Sequence, residues 1–215
     1  MPAPQTIHSS GFEPSLKANF AHVNLMVDSF IANAEPDDLR AILRTMLSSC
    51  PPSTASAFTA AARKRLERLA QTSSRHPTPT TTAPSTLFAT YPDGGATPSP
   101  SLDGTLRRAR ALYGAGMGFA SLAALTAIAR GTLGLRWAPD GPMADTLAAV
   151  DADIAQALQS AREEYGAGRV ADLDAARATL RELEETLAAS QDDAVRWGGE
   201  FPFERALVDV QHWKL

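Results

Sequence analysis

Valine and isoleucine are scarce, at 7 and 5 of 215 residues, whereas alanine and leucine number 40 and 23. The β-branched residues that suit strands are thus few, and the two best helix formers dominate. This composition excludes an all-β or parallel-sheet protein. Cysteine is scarcer still. Cys50 stands alone, so neither an intramolecular disulfide nor a cysteine-built zinc site is possible. The four histidines, His8, His22, His76 and His212, are scattered and none pairs at metal-ligand spacing. Asp151 has no acidic or histidine partner three or four residues on, so no dicarboxylate metal motif is formed. No metal or other cofactor is expected.

Strong charge is also missing. The net charge is −4, which argues against a protein that binds nucleic acid by bulk phosphate neutralisation. The basic clusters Arg63-Lys64-Arg65 and Arg107-Arg108-Ala109-Arg110 are short and lack interleaved aromatics. They read as solvated surface. The start, Met1-Pro2-Ala3-Pro4-Gln5, lacks the basic and apolar runs of a secretory signal. With the single cysteine, this leads to the expectation of an intracellular protein, cytoplasmic or nuclear. Residues 111–129 carry no charge and are flanked by arginines. They are the one candidate for membrane insertion, but are too rich in Ala, Gly, Ser and Thr, so a buried helix is expected instead.

Catalytic strings are absent too. There is no Gly-x-Ser-x-Gly elbow and no His-Glu-x-x-His. The glycine string Gly114-Ala115-Gly116-Met117-Gly118 lacks the Lys-Ser/Thr ending of a phosphate loop. Three glycines in an otherwise helical stretch suggest a close helix crossing or a kink.

What remains is a pattern of helices. Twenty of the 29 residues from 73 to 101 are Pro, Ser, Thr or Gly, which predicts a flexible linker. Its apolar middle, Leu87 to Tyr91, is a candidate to dock on a neighbour, and its Thr-Pro and Ser-Pro pairs are candidate phosphorylation sites. The expected organisation is a three-helix unit over 1–72, the linker 73–101, and a C-terminal bundle with an aromatic tail over 102–215. The fold class is all-α, a bundle of about six helices.

The N-terminal helices are expected near 14–33, from Pro36-Asp37-Asp38 onward, and from Pro51-Pro52 to about residue 71. Leu39, Ile42, Leu43, Met46 and Leu47 form the inner face of the second. Few residues are available there for an independent core, so docking on the C-terminal unit is expected. The C-terminal part reads as one helix over 105–130 with Asp103 as N-cap, then helices over 142–165 and 170–191. Met143, Leu147, Val150, Ile154, Leu158, Ala161 and Tyr165 form one stripe. Leu173, Ala176, Leu180, Leu183 and Leu187 form a seam with coiled-coil spacing. The short glycine break between them predicts an antiparallel hairpin. Glu163-Glu164 and Glu182-Glu184-Glu185 read as its solvated faces.

Function is pointed to by aromatics outside the helical stripes. Arg136, Trp137 and Asp140 cluster in one loop, and Trp197, Phe201, Phe203 and Trp213 mark the tail. Tryptophan and arginine are enriched at interface hot spots. Asp140 also reads as a cap for the following helix. The expectation is a non-enzymatic protein–protein interaction or accessory subunit, binding another protein or itself through these seven residues. The alternative is a small-molecule-binding protein or helical enzyme with its pocket near Arg136, Trp137 and Asp140.

Overall fold

The computed structural model describes residues 26–75, 86–92, 94–213 and 215, the side chains of 73–75 excepted. Residues 14–25 of the first expected helix, His8, His22, His76 and Thr78-Pro79 lie outside this set. The chain divides into two compact units, Met1–Ala55 and Ser56–Leu215.

In the first unit residues 26–33 are helical. Helix α1, Pro36–Ser49, follows with proline in its first turn and Asp37 and Asp38 beside it. These residues suit the N-terminus, where no backbone partner is lost and carboxylates meet the positive end of the dipole. Cys50 ends α1 as an exposed C-cap. The helix buries none of its residues. Of its expected inner face, Leu39 and Leu47 are half-buried and Ile42, Leu43 and Met46 are exposed.

Helix α2, Pro52–Arg75, runs across the boundary between units. In the second unit the all-α class holds, with one small sheet. Strands β1, Phe88–Thr90, and β2, Ala96–Pro98, pair antiparallel with Phe88 opposite Pro98. Five helices follow: α3, Pro100–Gly114; α4, Gly118–Arg130; α5, Pro142–Gly166; α6, Leu173–Trp197; and α7, Glu204–Gln211.

The described residues of the segment 73–101 are thus largely ordered into named elements. They hold the end of α2, the hairpin and the start of α3. The segment's apolar middle explains this, because Phe88 is buried in the core and its burial helps offset the ordering entropy. Ser99, rather than Asp103, takes the N-cap position of α3, and Asp103 sits in its first turn.

The expected helix over 105–130 is two helices. The Gly116 N–H donates to the Tyr113 carbonyl at 2.9 Å and the Met117 N–H to the Leu112 carbonyl at 3.0 Å. This is the Schellman pattern, which needs a left-handed residue after the C-cap. Gly116 supplies it, with φ +70°. Two residues on, Gly118 serves the close crossing. A Cβ there would lie 2.2 Å from the Ala161 backbone nitrogen. The kink and the crossing are both present. Among the described residues no helix is long and apolar enough to cross a membrane.

Helix α4 is central and packs against α3, α5 and α6. Leu122, Leu125 and Ile128 are fully buried in it. The expected hairpin is altered accordingly. Helices α5 and α6 do follow one another, but each packs closely on α4, and direct approach between the two is slight. The stripe of α5 is buried from Met143 to Ala161, with Tyr165 exposed beyond it. The seam of α6 is buried from Ala176 to Leu187, with Leu173 exposed. Helix α7 closes the bundle against α5 and α6 through Ala206, Leu207 and Val210.

Two carboxylates are buried, and one of them, Glu164, was expected on a solvated face. Glu164 pairs with Arg63 of α2 at 3.1 Å. Asp153 receives the Arg110 guanidinium at 2.8 Å and the Tyr113 hydroxyl at 3.0 Å, joining α3 to α5. The Arg110 pKa is raised, chiefly by this hydrogen bond. That of Tyr113 is raised by burial and then by the Asp153 charge.

Helix α6 has a side-chain cap. Asp172 accepts from the Ala175 N–H at 2.9 Å. Asp172→Ala is expected to lower stability by about 1 kcal/mol, read as a shifted urea midpoint with an unchanged slope. Asp172→Asn, which keeps the accepting oxygen, should recover most of the loss.

Candidate functional site

An open cleft of about 980 Å³ lies along the outer side of α5 and α7. One wall is a face of α5. Ala144, Asp145, Ala148 and Asp151 recur at helical spacing and line it. The facing wall comes from α7, whose Glu204, Arg205, Val208 and Asp209 share one face by the same spacing. Trp137, Trp197, Phe201 and the turn 198–200 line the remainder.

The aromatic part is held from behind. The Trp137 and Trp197 rings meet edge to face, with centroids 5.3 Å apart and planes at 72°, a geometry favoured by the ring quadrupoles. The Arg136 guanidinium carbon lies 5.3 Å from the Trp197 ring centroid. Arg136 is itself anchored. It pairs with Asp193 at 3.2 Å and donates to its neighbouring Leu135 carbonyl at 2.7 Å. Its own carbonyl accepts from the Ala96 N–H at 2.8 Å, tying the loop to β2. Asp193 also accepts from the Gly134 N–H at 2.9 Å. The Trp197 ring lies so close over Gly199 that a Cβ there would meet it at 2.1 Å. The Trp197 Nε1 is buried without a hydrogen-bond partner, so this ring contributes an apolar body and no donor satisfied within the protein.

The seven expected site residues therefore separate. Trp137, Trp197 and Phe201 line the cleft, and Arg136 supports it from behind. Phe203 is fully buried, packed edge to face with Phe201 at 6.0 Å. It is a core residue that fixes the start of α7. Asp140 is exposed, outside the cleft lining, and does not cap α5, whose N-cap is Gly141. Trp213 lies outside the cleft lining, tilted against Phe119 at 5.8 Å with the Arg162 guanidinium 5.4 Å from its ring centroid. It borders a separate small groove with Arg177, Arg181 and Leu215.

Sequence reasoning missed the two helical walls. Their signal is the exposed alanine and valine within polar faces. Ala148 is exposed and Val208 is 52% exposed, and both lie among carboxylates. The walls carry Asp145, Asp151, Glu200, Glu204 and Asp209 against one cation, Arg205.

Asp151 is half-buried and accepts from the Ala206 N–H at 2.9 Å. This satisfies one of the unpaired donors in the first turn of α7. Burial is the main cause that raises its pKa, and the charges of Asp209 and Glu204 push the same way. A carboxyl whose pKa is raised on folding contributes most to stability when protonated. That contribution is complete below the ordinary carboxyl range and is lost as the pH climbs through the raised value. Asp151→Asn keeps an oxygen for the Ala206 N–H and removes the buried charge. It is expected to match or exceed the natural protein in thermal stability near neutral pH, with the difference closing on acidification below about pH 4.

Among the described residues no group of three or more His, Cys, Asp or Glu could hold a metal ion. Comparison with protein-family models, curated proteins and solved structures finds no match.

Proposed function

We propose that this chain is a non-enzymatic helical interaction or accessory subunit that binds a partner protein through the cleft between α5 and α7. The observation that carries the reading is the cleft itself. It is open along two helices, and Trp137, Trp197 and Phe201 are gathered on it. All three are half-buried, and aromatic anchors set in a depression are the usual makings of an interface hot spot. The lining offers no histidine, serine, threonine, cysteine or lysine, so it holds no serine–histidine or cysteine–histidine pair.

The test uses exposed lining positions, because deleting the tail would remove core residues such as Phe203 and Val210. Ala148→Arg and Val208→Arg place bulk and charge in the cleft from helix surfaces that bury little. Loss of a co-purifying partner from both variants, with the circular dichroism spectrum unchanged, is expected. Retention of the same partner by both folded variants contradicts the reading.

A small-molecule ligand in the same cleft is the second reading. It is favoured by Asp151, a half-buried carboxyl of raised pKa on the wall. Native mass spectrometry of the purified chain separates the two, since a retained ligand adds a small discrete mass that Ala148→Arg removes.

A further inference from the structure

The cleft has a sign as well as a shape. Of its charged lining residues, five are carboxylates and Arg205 is the one guanidinium. Asp145 and Glu204 lie in the first turns of α5 and α7, where the helix dipoles favour them, and Asp151 caps α7. Glu200 and Asp209 have no such local role among the described contacts. The chain therefore concentrates negative charge here beyond what its helices need. Beside this charge stand Trp137, Trp197 and Phe201, whose ring faces attract cations. One long cation can satisfy both features, with its apolar stem against the rings and its head among the carboxylates.

We infer that the partner segment bound in this cleft is basic, a peptide stretch presenting arginine or lysine to Asp145, Glu204 and Asp209 with its side-chain stem against Trp137, Trp197 and Phe201. The inference rests on the reading of the cleft as a partner site and adds the chemistry of the occupant. Charge complementarity argues for a basic occupant over a second copy of the same cleft, which would set like charges face to face. It also excludes a nucleic-acid backbone at this surface, since phosphates would meet carboxylates. The open form suits an extended segment, which can lie along the gap between two helices. Asp151 already feels its acidic neighbours, and a cation bound there relieves that repulsion.

The test is selection of a phage-displayed library of random dodecapeptides on the full chain. Binding of the winners is then measured on the full chain and on the triple variant Asp145→Asn/Glu204→Gln/Asp209→Asn. These three changes remove charge while nearly preserving shape. The expected winners carry a clear excess of arginine and lysine. Their affinity falls about tenfold or more on the triple variant, and also falls as NaCl is raised from about 50 to about 500 mM. Winners without a basic excess that still lose binding on Ala148→Arg overturn the basic occupant and leave the cleft as a partner site. Winners that bind Ala148→Arg and Val208→Arg as well as the natural chain, or no winners at all, overturn both.

Discussion

Gly118→Ala is expected to destabilise the second unit by about 3 kcal/mol or more, the upper end for overpacking, and to lower its melting temperature by about 10 °C. The added methyl would stand 2.2 Å from the Ala161 nitrogen, 2.5 Å from its Cα and 2.7 Å from the Ser160 carbonyl carbon. All three are backbone atoms, so no side chain can turn aside to relieve the overlap. Helices α4 and α5 must part instead. Because α4 also packs on α3 and α6, the shift spreads through the centre of the bundle. The helix-propensity gain of alanine over glycine, up to about 1 kcal/mol, does not compensate. Gly104→Ala is the control of opposite sign. It lies inside α3 and its Cβ meets nothing within 4 Å. There the propensity gain should appear undiminished, as a rise in melting temperature. Thermal denaturation followed by circular dichroism reads both.

Arg63→Ala is expected to cost about 3 kcal/mol. The Arg63 and Glu164 side chains are only 19% and 10% exposed. Arg63 also donates to the Gly116 carbonyl, so one guanidinium joins α2, the α3–α4 turn and the end of α5. Its removal leaves the Glu164 carboxylate buried, with only a long 3.4 Å hydrogen bond from the Phe119 N–H. An unpaired buried charge is costly, whereas an apolar pair of similar volume is often tolerated. The double variant Arg63→Met/Glu164→Met should therefore recover much of what the single change loses. Urea unfolding of the natural chain and both variants checks this. A double variant no more stable than Arg63→Ala would show that the pair is not the source of the effect. By contrast Arg130 and Glu182, 52% and 55% exposed, form a pair whose removal should cost less than about 1 kcal/mol.

These two sites also mark where the sequence stops being informative. The stripes of α5 and α6 are legible because apolar spacing along one helix records which face is buried. Leu147, Val150 and Ile154 on α5, and Leu183 and Leu187 on α6, are all fully buried. The pairing of Glu164 with Arg63 is not legible, because it joins residues 101 positions apart and a glutamate in a charged run looks the same whether solvated or buried. Gly118 was recognisable as unusual, but its partner Ala161 was not. The hairpin in the Pro/Ser/Thr-rich segment was obscured by composition, since only Phe88 and Ala96 among its described residues are buried.

The same division applies to the cleft. Tryptophans outside the helical stripes drew attention to Trp137 and Trp197, and the structure brings these two together. Phe203 had the same local signature, yet it is core, because burial of a tail residue depends on where α7 docks. The acidic walls stayed hidden for a related reason. Asp145 and Asp209 become neighbours of one cleft only when α5 and α7 pack side by side.

The chain has three tryptophans, and this gives the central claim a direct readout. Trp137 and Trp197 line the cleft, and Trp213 packs outside it beside Phe119. In a 15N-labelled sample each contributes one indole N–H resonance. Titration with a selected basic dodecapeptide is predicted to shift the Trp137 and Trp197 resonances together and to leave Trp213 in place. A titration that moves Trp213 while Trp137 and Trp197 stay fixed, or that moves none of the three at saturation, would contradict the assignment of this cleft as the binding surface.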